Sequence, residues 1–155
     1  MTMAKNLKMC LAASAGGHLT QLLKLAQSWE GYNAFFVTTG HAVANELQKR
    51  GKVYIVGECN RKHLLKTTKV FLKCAKIVLN ERPDVILSTG AAAGCMLCFL
   101  SKLRGARVIW MDSITNTEKL SLSGRMVRHI ADLFLVQWPQ LAAKYKNVEY
   151  VGSVI

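Results

Sequence analysis

The chain has 155 residues, 51% of them hydrophobic, and a formal net charge of +12. That length fits one domain, residues 1–155, with a sizeable core, and its longest apolar candidate, 91–100, reaches about half the ~20 residues needed to cross a bilayer. The N-terminal MTMAKNLK has no apolar block behind its charges, against a secretory leader, and five scattered cysteines in mostly apolar segments argue for reduced core thiols, against a disulfide framework.

Residues 9–13 form an apolar run of strand length. Ser14, Ala15, Gly16 and Gly17 follow as a turn, and from Leu19 the apolar residues Leu22, Leu23 and Ala26 fall at helical spacing. Strand, glycine turn and helix start together present free backbone N–H groups and a positive dipole end, a natural anion site. His18 stands at its mouth. The stretch is neither a P-loop nor a dinucleotide fingerprint, because the Gly-Lys-Ser/Thr ending and the third glycine are missing. A tight turn with a capping histidine is the plainer reading.

Strands are expected at 34–38 and 53–56, with a helix from Gly40 and His41 to Arg50 between them. This βαβαβ alternation is the mark of a parallel, doubly wound α/β sheet. A long helix is expected over 61–81, stopped by Pro83. Its Lys62, Lys66, Lys69, Lys73 and Lys76 fall within an arc of about 80° at ~100° per residue, and Leu64, Val70, Phe71, Cys74, Ile77 and Val78 lie around the other side. A fourth strand, 85–88, leads into Thr89, Gly90, Ala91, Ala92, Ala93 and Gly94, a second small-residue turn. In the 3-2-1-4-5 strand order, strands one and four flank the point where the order reverses, so both turns are expected to face one crevice. An almost uniformly apolar helix follows, ending near Lys102 and Arg104. Its Cys95-x-x-Cys98 lacks the second ligand pair of a zinc site, so no metal is expected. Strands at 108–111, 133–136 and 148–151, and short helices at 125–131 and 141–145, complete the chain.

The charge is uneven. Residues 60–110 hold ten Lys or Arg against two acids, a local +8, whereas the other residues hold eleven against seven, or +4. Such a concentration calls for an anionic partner. An anionic membrane surface is favoured for the lysine row, since each lysine near one contributes ~1 kcal/mol; an ordinary solvated face is the alternative. Nucleic acid is disfavoured, because the row has only Phe71 as an aromatic, on its far side.

SAGGHLTQLL, RPDVILSTGAAAG and above all SLSGRMVRHIADLFLVQWPQLAAKY with VEYVG resemble the acceptor-binding subunit of two-subunit UDP-N-acetylglucosamine transferases, over nearly the whole chain. That family is similar to the N-terminal half of the GT-B peptidoglycan GlcNAc transferase. The resemblance implies a Rossmann-like half-enzyme that binds a polyprenyl-diphosphate-linked saccharide and works with a separate donor-binding chain. It implies no metal and no cofactor. It places the acceptor diphosphate on Ser14, Gly16, Gly17, Gly90, Gly94 and Arg125, and proton transfer or sugar positioning on His18 or Asp112. Asp112 stands where eukaryotic relatives carry Glu, and Thr115, Asn116 and Thr117 depart from their Cys-Arg-Val. Those relatives also have an N-terminal membrane helix. Attachment here is expected to be peripheral, at the cytoplasmic face of the membrane, through the lysine row, the helix with Lys102 and Arg104, or a partner. A non-catalytic membrane scaffold for a catalytic partner is the competing reading.

Overall fold

The computed structural model describes residues 6–59 and 63–154. Seven parallel strands form one sheet in the order β3-β2-β1-β4-β5-β6-β7. They are β1 (Lys8–Ala12), β2 (Asn33–Thr38), β3 (Lys52–Ile55), β4 (Val85–Ser88), β5 (Arg107–Met111), β6 (Leu133–Val136) and β7 (Glu149–Tyr150). The helices are α1 (Gly17–Lys24), α2 (Ala44–Gln48), α3 (Leu64–Glu81), α4 (Ala91–Leu103), α5 (Leu122–Val127) and α6 (Pro139–Lys144). The doubly wound sheet and the β1/β4 reversal are those expected.

The sheet's period of two divides β1 between two cores. Cys10 and Ala12 pack with Val70, Cys74, Ile77, Leu97 and Cys98 under α3 and α4. Met9 and Leu11, with Ala13 just beyond, pack on the other face with Leu19, Leu22, Trp29 and Leu47. Burial raises the thiols of Cys74 and Cys95 to about 12 and about 11 and pushes Cys98 well up, so these cysteines are protonated core residues.

Several boundaries differ from expectation. A 3-10 turn, His41–Val43, precedes α2, which stops at Gln48. Ser121 caps α5 by accepting from the Gly124 N–H at 2.8 Å, so this helix begins before residue 125 and ends at Val127. The first described turn of α3 starts at Leu64; the expected start at 61 and Lys62 lie outside the described residues.

The side of α3 away from the lysines divides in two. Val70, Cys74, Ile77, Val78 and Glu81 are buried, whereas Leu64 and Phe71, which share the side away from the lysines, are 78% and 43% exposed. Leu65, Leu72 and Leu79 are exposed with them. The helix therefore has three lanes: one buried, one of lysines beside it, and one apolar and open.

The lower end of α3 is pinned by charge. Glu81, 8% exposed, receives Lys52 Nζ at 2.5 Å, and Lys8 and the Tyr54 hydroxyl also reach its carboxylate. Burial alone would raise this carboxyl; the bonds from Lys52, Lys8 and Tyr54 outweigh it and hold it at about 2. Because the folded value lies below the ordinary 4.5, the stabilisation is complete above pH 4.5 and is lost as pH falls towards 2. The melting temperature of E81Q should thus lie below wild type at pH 6, with the gap closing between pH 4.5 and 2; a constant gap in thermal melts would refute this.

Candidate active site

The first glycine turn leaves β1 and enters α1. Gly16 is the α1 N-cap at φ 105°, a conformation open to glycine. A Cβ added at Gly16 or Gly17 would meet nothing within 4 Å, so the turn faces open space. From the side it is held by the Ala15 N–H donating to Thr39 Oγ1 at 3.1 Å. The second turn leaves β4 and enters α4, with Gly90 as N-cap at φ 142° and Ala91 at φ 70°. A left-handed alanine stores backbone strain, a cost concentrated at functional sites. Neither helix has a side-chain cap, so each offers first-turn N–H groups and a positive dipole end.

The two turns are clamped together through His18. Its Nδ1 lies 2.8 Å from the Thr89 carbonyl oxygen, and Thr89 Oγ1 donates to the His18 carbonyl at 2.7 Å. A carbonyl only accepts, so Nδ1 carries hydrogen and the neutral ring keeps its lone pair on Nε2. The imidazole lies on Gly90, where an added Cβ would stand 2.5 Å from Nδ1. Glycine is therefore required twice at residue 90, by conformation and by the ring. Ser14, Thr39, Glu58, Cys59 and Ala91, Ala92 and Ala93 line a cavity of about 120 Å3 in the same crevice. Ser14, Gly16, Gly17, His18 and Gly90 thus belong to the two turns at the β1/β4 switch point. A cavity of about 350 Å3 by Trp29, Tyr32, Phe36 and Arg50 lies beside the start of β2, away from these turns.

Gly94 does not join them. It is buried one turn into α4, and a Cβ there would overlap Ser88 Oγ and touch Trp110. Its smallness lets α4 pack on β4; it is not a phosphate contact.

Asp112 is likewise an anchor. It is 1% exposed, and its carboxylate accepts from the Ser121 N–H (2.8 Å), Ser121 Oγ (2.6 Å), Trp110 Nε1 (3.2 Å) and Asn116 Nδ2 (3.2 Å). Gly124 stands where a Cβ would be 2.7 Å from Oδ1. Four donors and the close approach of α5 leave no oxygen open to a substrate, which corrects the expectation that Asp112 takes a proton or orients a sugar.

Arg125 is exposed on α5, and its guanidinium has no hydrogen bond or ion pair among the described residues. Lys102 is not free for headgroups: it pairs with Asp132 at 2.8 Å, a bond that lowers the Asp132 carboxyl. Arg104 is exposed at the end of α4. Lys66, Lys69, Lys73 and Lys76 are all exposed and have no ion-pair partner among the described residues.

Sequence reasoning missed a buried amide pair. Gln137 (1% exposed) donates through Nε2 to Gln21 Oε1 at 2.5 Å and to the Asp112 carbonyl at 3.1 Å. Gln21, on α1 one turn after His18, donates to Ser113 Oγ and accepts from the Ile114 N–H, both at 3.3 Å. The Val154 N–H closes on Gln137 Oε1 at 2.9 Å. This network ties the His18 helix to β6 and the loop after β5. The sequence carries no signal for it: at ~100° per residue Gln21 stands about 160° from Leu19 and about 100° from Leu22, off the apolar face of α1.

Known proteins match this architecture. Acinetobacter baumannii MurG superposes with a TM-score of 0.76 at 12% identity, over 95% of this chain and 45% of that one, which shows the shared fold. The UDP-N-acetylglucosamine transferase subunit ALG14 of Yarrowia lipolytica is 35% identical over 106 residues, 64% of this chain and 49% of the relative, so the match spans about half of that protein. The mouse subunit of the same name is 27% identical across 100% of this chain and 86% of its own length. The family model described as oligosaccharide biosynthesis protein Alg14 like matches residues 9–154. The chain belongs to the Alg14-like family of oligosaccharide biosynthesis proteins.

Proposed function

We propose that this chain is the acceptor-binding, membrane-facing subunit of a transferase that moves a sugar, GlcNAc in the leading case, from a UDP-sugar to a polyprenyl-diphosphate-linked saccharide. A separate donor-binding chain supplies the other half of a GT-B cleft, and this subunit is inactive without it. The observation that carries the reading is the clamp between His18 and Thr89, which brings two glycine turns to one crevice at the strand-order reversal. Ligands of open α/β sheets bind at that point, and the N-termini of α1 and α4 suit a diphosphate. The subunit name of the relatives supports a two-chain enzyme.

In this reading the acceptor hydroxyl forms a bond to the donor's anomeric carbon while the bond to UDP breaks, and the hydroxyl proton passes to His18 Nε2. Thr89 fixes the tautomer that leaves Nε2 able to accept. Asp112 acts at one remove, by holding α5 and its own loop in place. Arg125 is kept as a phosphate contact made on acceptor binding.

Equilibrium binding tests the assignment. The isolated chain should bind a polyprenyl-diphosphate sugar and discriminate against UDP-GlcNAc; the reverse preference would overturn it.

Membrane contact falls to α3. Its apolar lane, Leu64, Leu65, Phe71, Leu72 and Leu79, runs beside Lys66, Lys69, Lys73 and Lys76. Apolar residues flanked by cations are the pattern of a helix lying in the interface. The quadruple alanine variant of these lysines should lose roughly tenfold or more of its partition onto phosphatidylglycerol vesicles in flotation. Unchanged flotation would place the membrane face elsewhere.

A further inference from the structure

The crevice at the glycine turns continues along the edge of the sheet. Its cavity shares Glu58 with a second, of about 230 Å3, beneath Lys66, Lys69 and Lys73. That one shares Lys73 with a third, also about 230 Å3, reaching Lys76 and Asn80. The second and third follow the seam between α3 and the outer edge of β3, which pairs with β2 alone. Tyr54, Ile55, Val56, Val70 and Ile77 make an apolar floor. The lysines overhang it because their arc on α3 adjoins the buried lane, while the outer pole is taken by Leu65, Leu72 and Leu79.

An apolar trough under a row of cations with no ion-pair partner among the described residues, opening at one end beside Ser14 and the first turn of α4, has the chemistry of an amphiphile with an anionic head. We infer that this trough takes the first isoprene units of the lipid carrier, which leave the diphosphate at Gly16 and Gly90 and pass under the lysines towards the apolar lane of α3. The inference rests on the diphosphate reading above. Together the two outer cavities fall within the ~300–1,000 Å3 of ordinary ligand sites. The lysines serve twice: their stems extend the apolar wall, and their heads stay in water or meet phosphate.

Titration of the isolated chain with pyrophosphate, isopentenyl, geranyl and farnesyl diphosphate tests this. Affinity should climb along the series, by roughly tenfold or more from pyrophosphate to farnesyl diphosphate. Ile55→Asn should flatten that climb and leave pyrophosphate affinity unchanged. Methyl NMR of the wild type is the second readout, with shifts at Ile55 and Ile77 for farnesyl diphosphate and none for pyrophosphate. Pyrophosphate binding with a flat series, or with the two methyls silent, overturns the trough alone. No binding of any of the four overturns the diphosphate site and the trough with it. Ile55 and Ile77 shifts with dihexanoyl phosphatidylglycerol but not with farnesyl diphosphate would assign the trough to a bilayer phospholipid instead, and overturn the carrier.

Discussion

His18→Ala in the assembled transferase is expected to slow sugar transfer by ~10²–10⁴-fold, the range a positioned general base contributes. The variant removes two things at once. It deletes Nε2, and it deletes the ring that holds the Thr89 carbonyl at 2.8 Å. His18→Asn separates them, since the asparagine amide reaches as a donor where Nδ1 stood but brings no basic nitrogen. The clamp between the turns contributes about 1 kcal/mol, so the alanine variant should melt slightly lower and the asparagine variant close to wild type. Both should fall in kcat. If His18→Asn keeps kcat within a few-fold of wild type and His18→Ala does not, the ring is a cap that holds the turns and the proton leaves by another route.

Much of this site was legible because backbone needs are written in residue types. Glycines after two apolar runs mark turns at strand ends, and the alternation of strands and helices fixes which two strands meet at the reversal. That logic makes Gly16, Gly17, Gly90 and His18 neighbours. It failed at Gly94, because a glycine that makes room for a packed side chain and one that opens a cradle look alike in sequence. The deciding atom, Ser88 Oγ, is brought there by the fold. The wheel of α3 left one choice open. It located the lysine arc correctly, but a helix with one charged lane has two flanks, and periodicity cannot say which flank meets the sheet. The flank with Val70, Cys74 and Ile77 does, which leaves Leu64 and Phe71 in the open and puts the lysines over the β3 seam. The Gln21 and Gln137 pair was invisible for a related reason: its partners lie 116 residues apart.

Asp112 is the second test with a large effect, and it opposes the first in kind. Each buried donor left without a partner costs ~1–3 kcal/mol. Asp112→Ala orphans Trp110 Nε1, Asn116 Nδ2 and the Ser121 N–H, while Ser121 Oγ can turn to a new acceptor. A loss of about 3–5 kcal/mol is expected, a large share of the ~5–15 kcal/mol that holds a domain together. At this chain length that lowers the melting temperature by about 6–20 °C. Asp112→Asn is the sharper variant. It keeps the shape but turns an NH2 towards groups that are themselves donors, so it should also melt early, by a smaller margin. A base behaves the other way: Asp112→Asn would then fold like wild type and fail only in turnover. Thermal melts and single-turnover rates on the two asparagine variants should therefore cross over, with His18→Asn stable and slow, and Asp112→Asn unstable but retaining turnover below its melting range. A stable, inactive Asp112→Asn would return the carboxylate to the chemistry and require the loop around Ser121 to open when the acceptor binds.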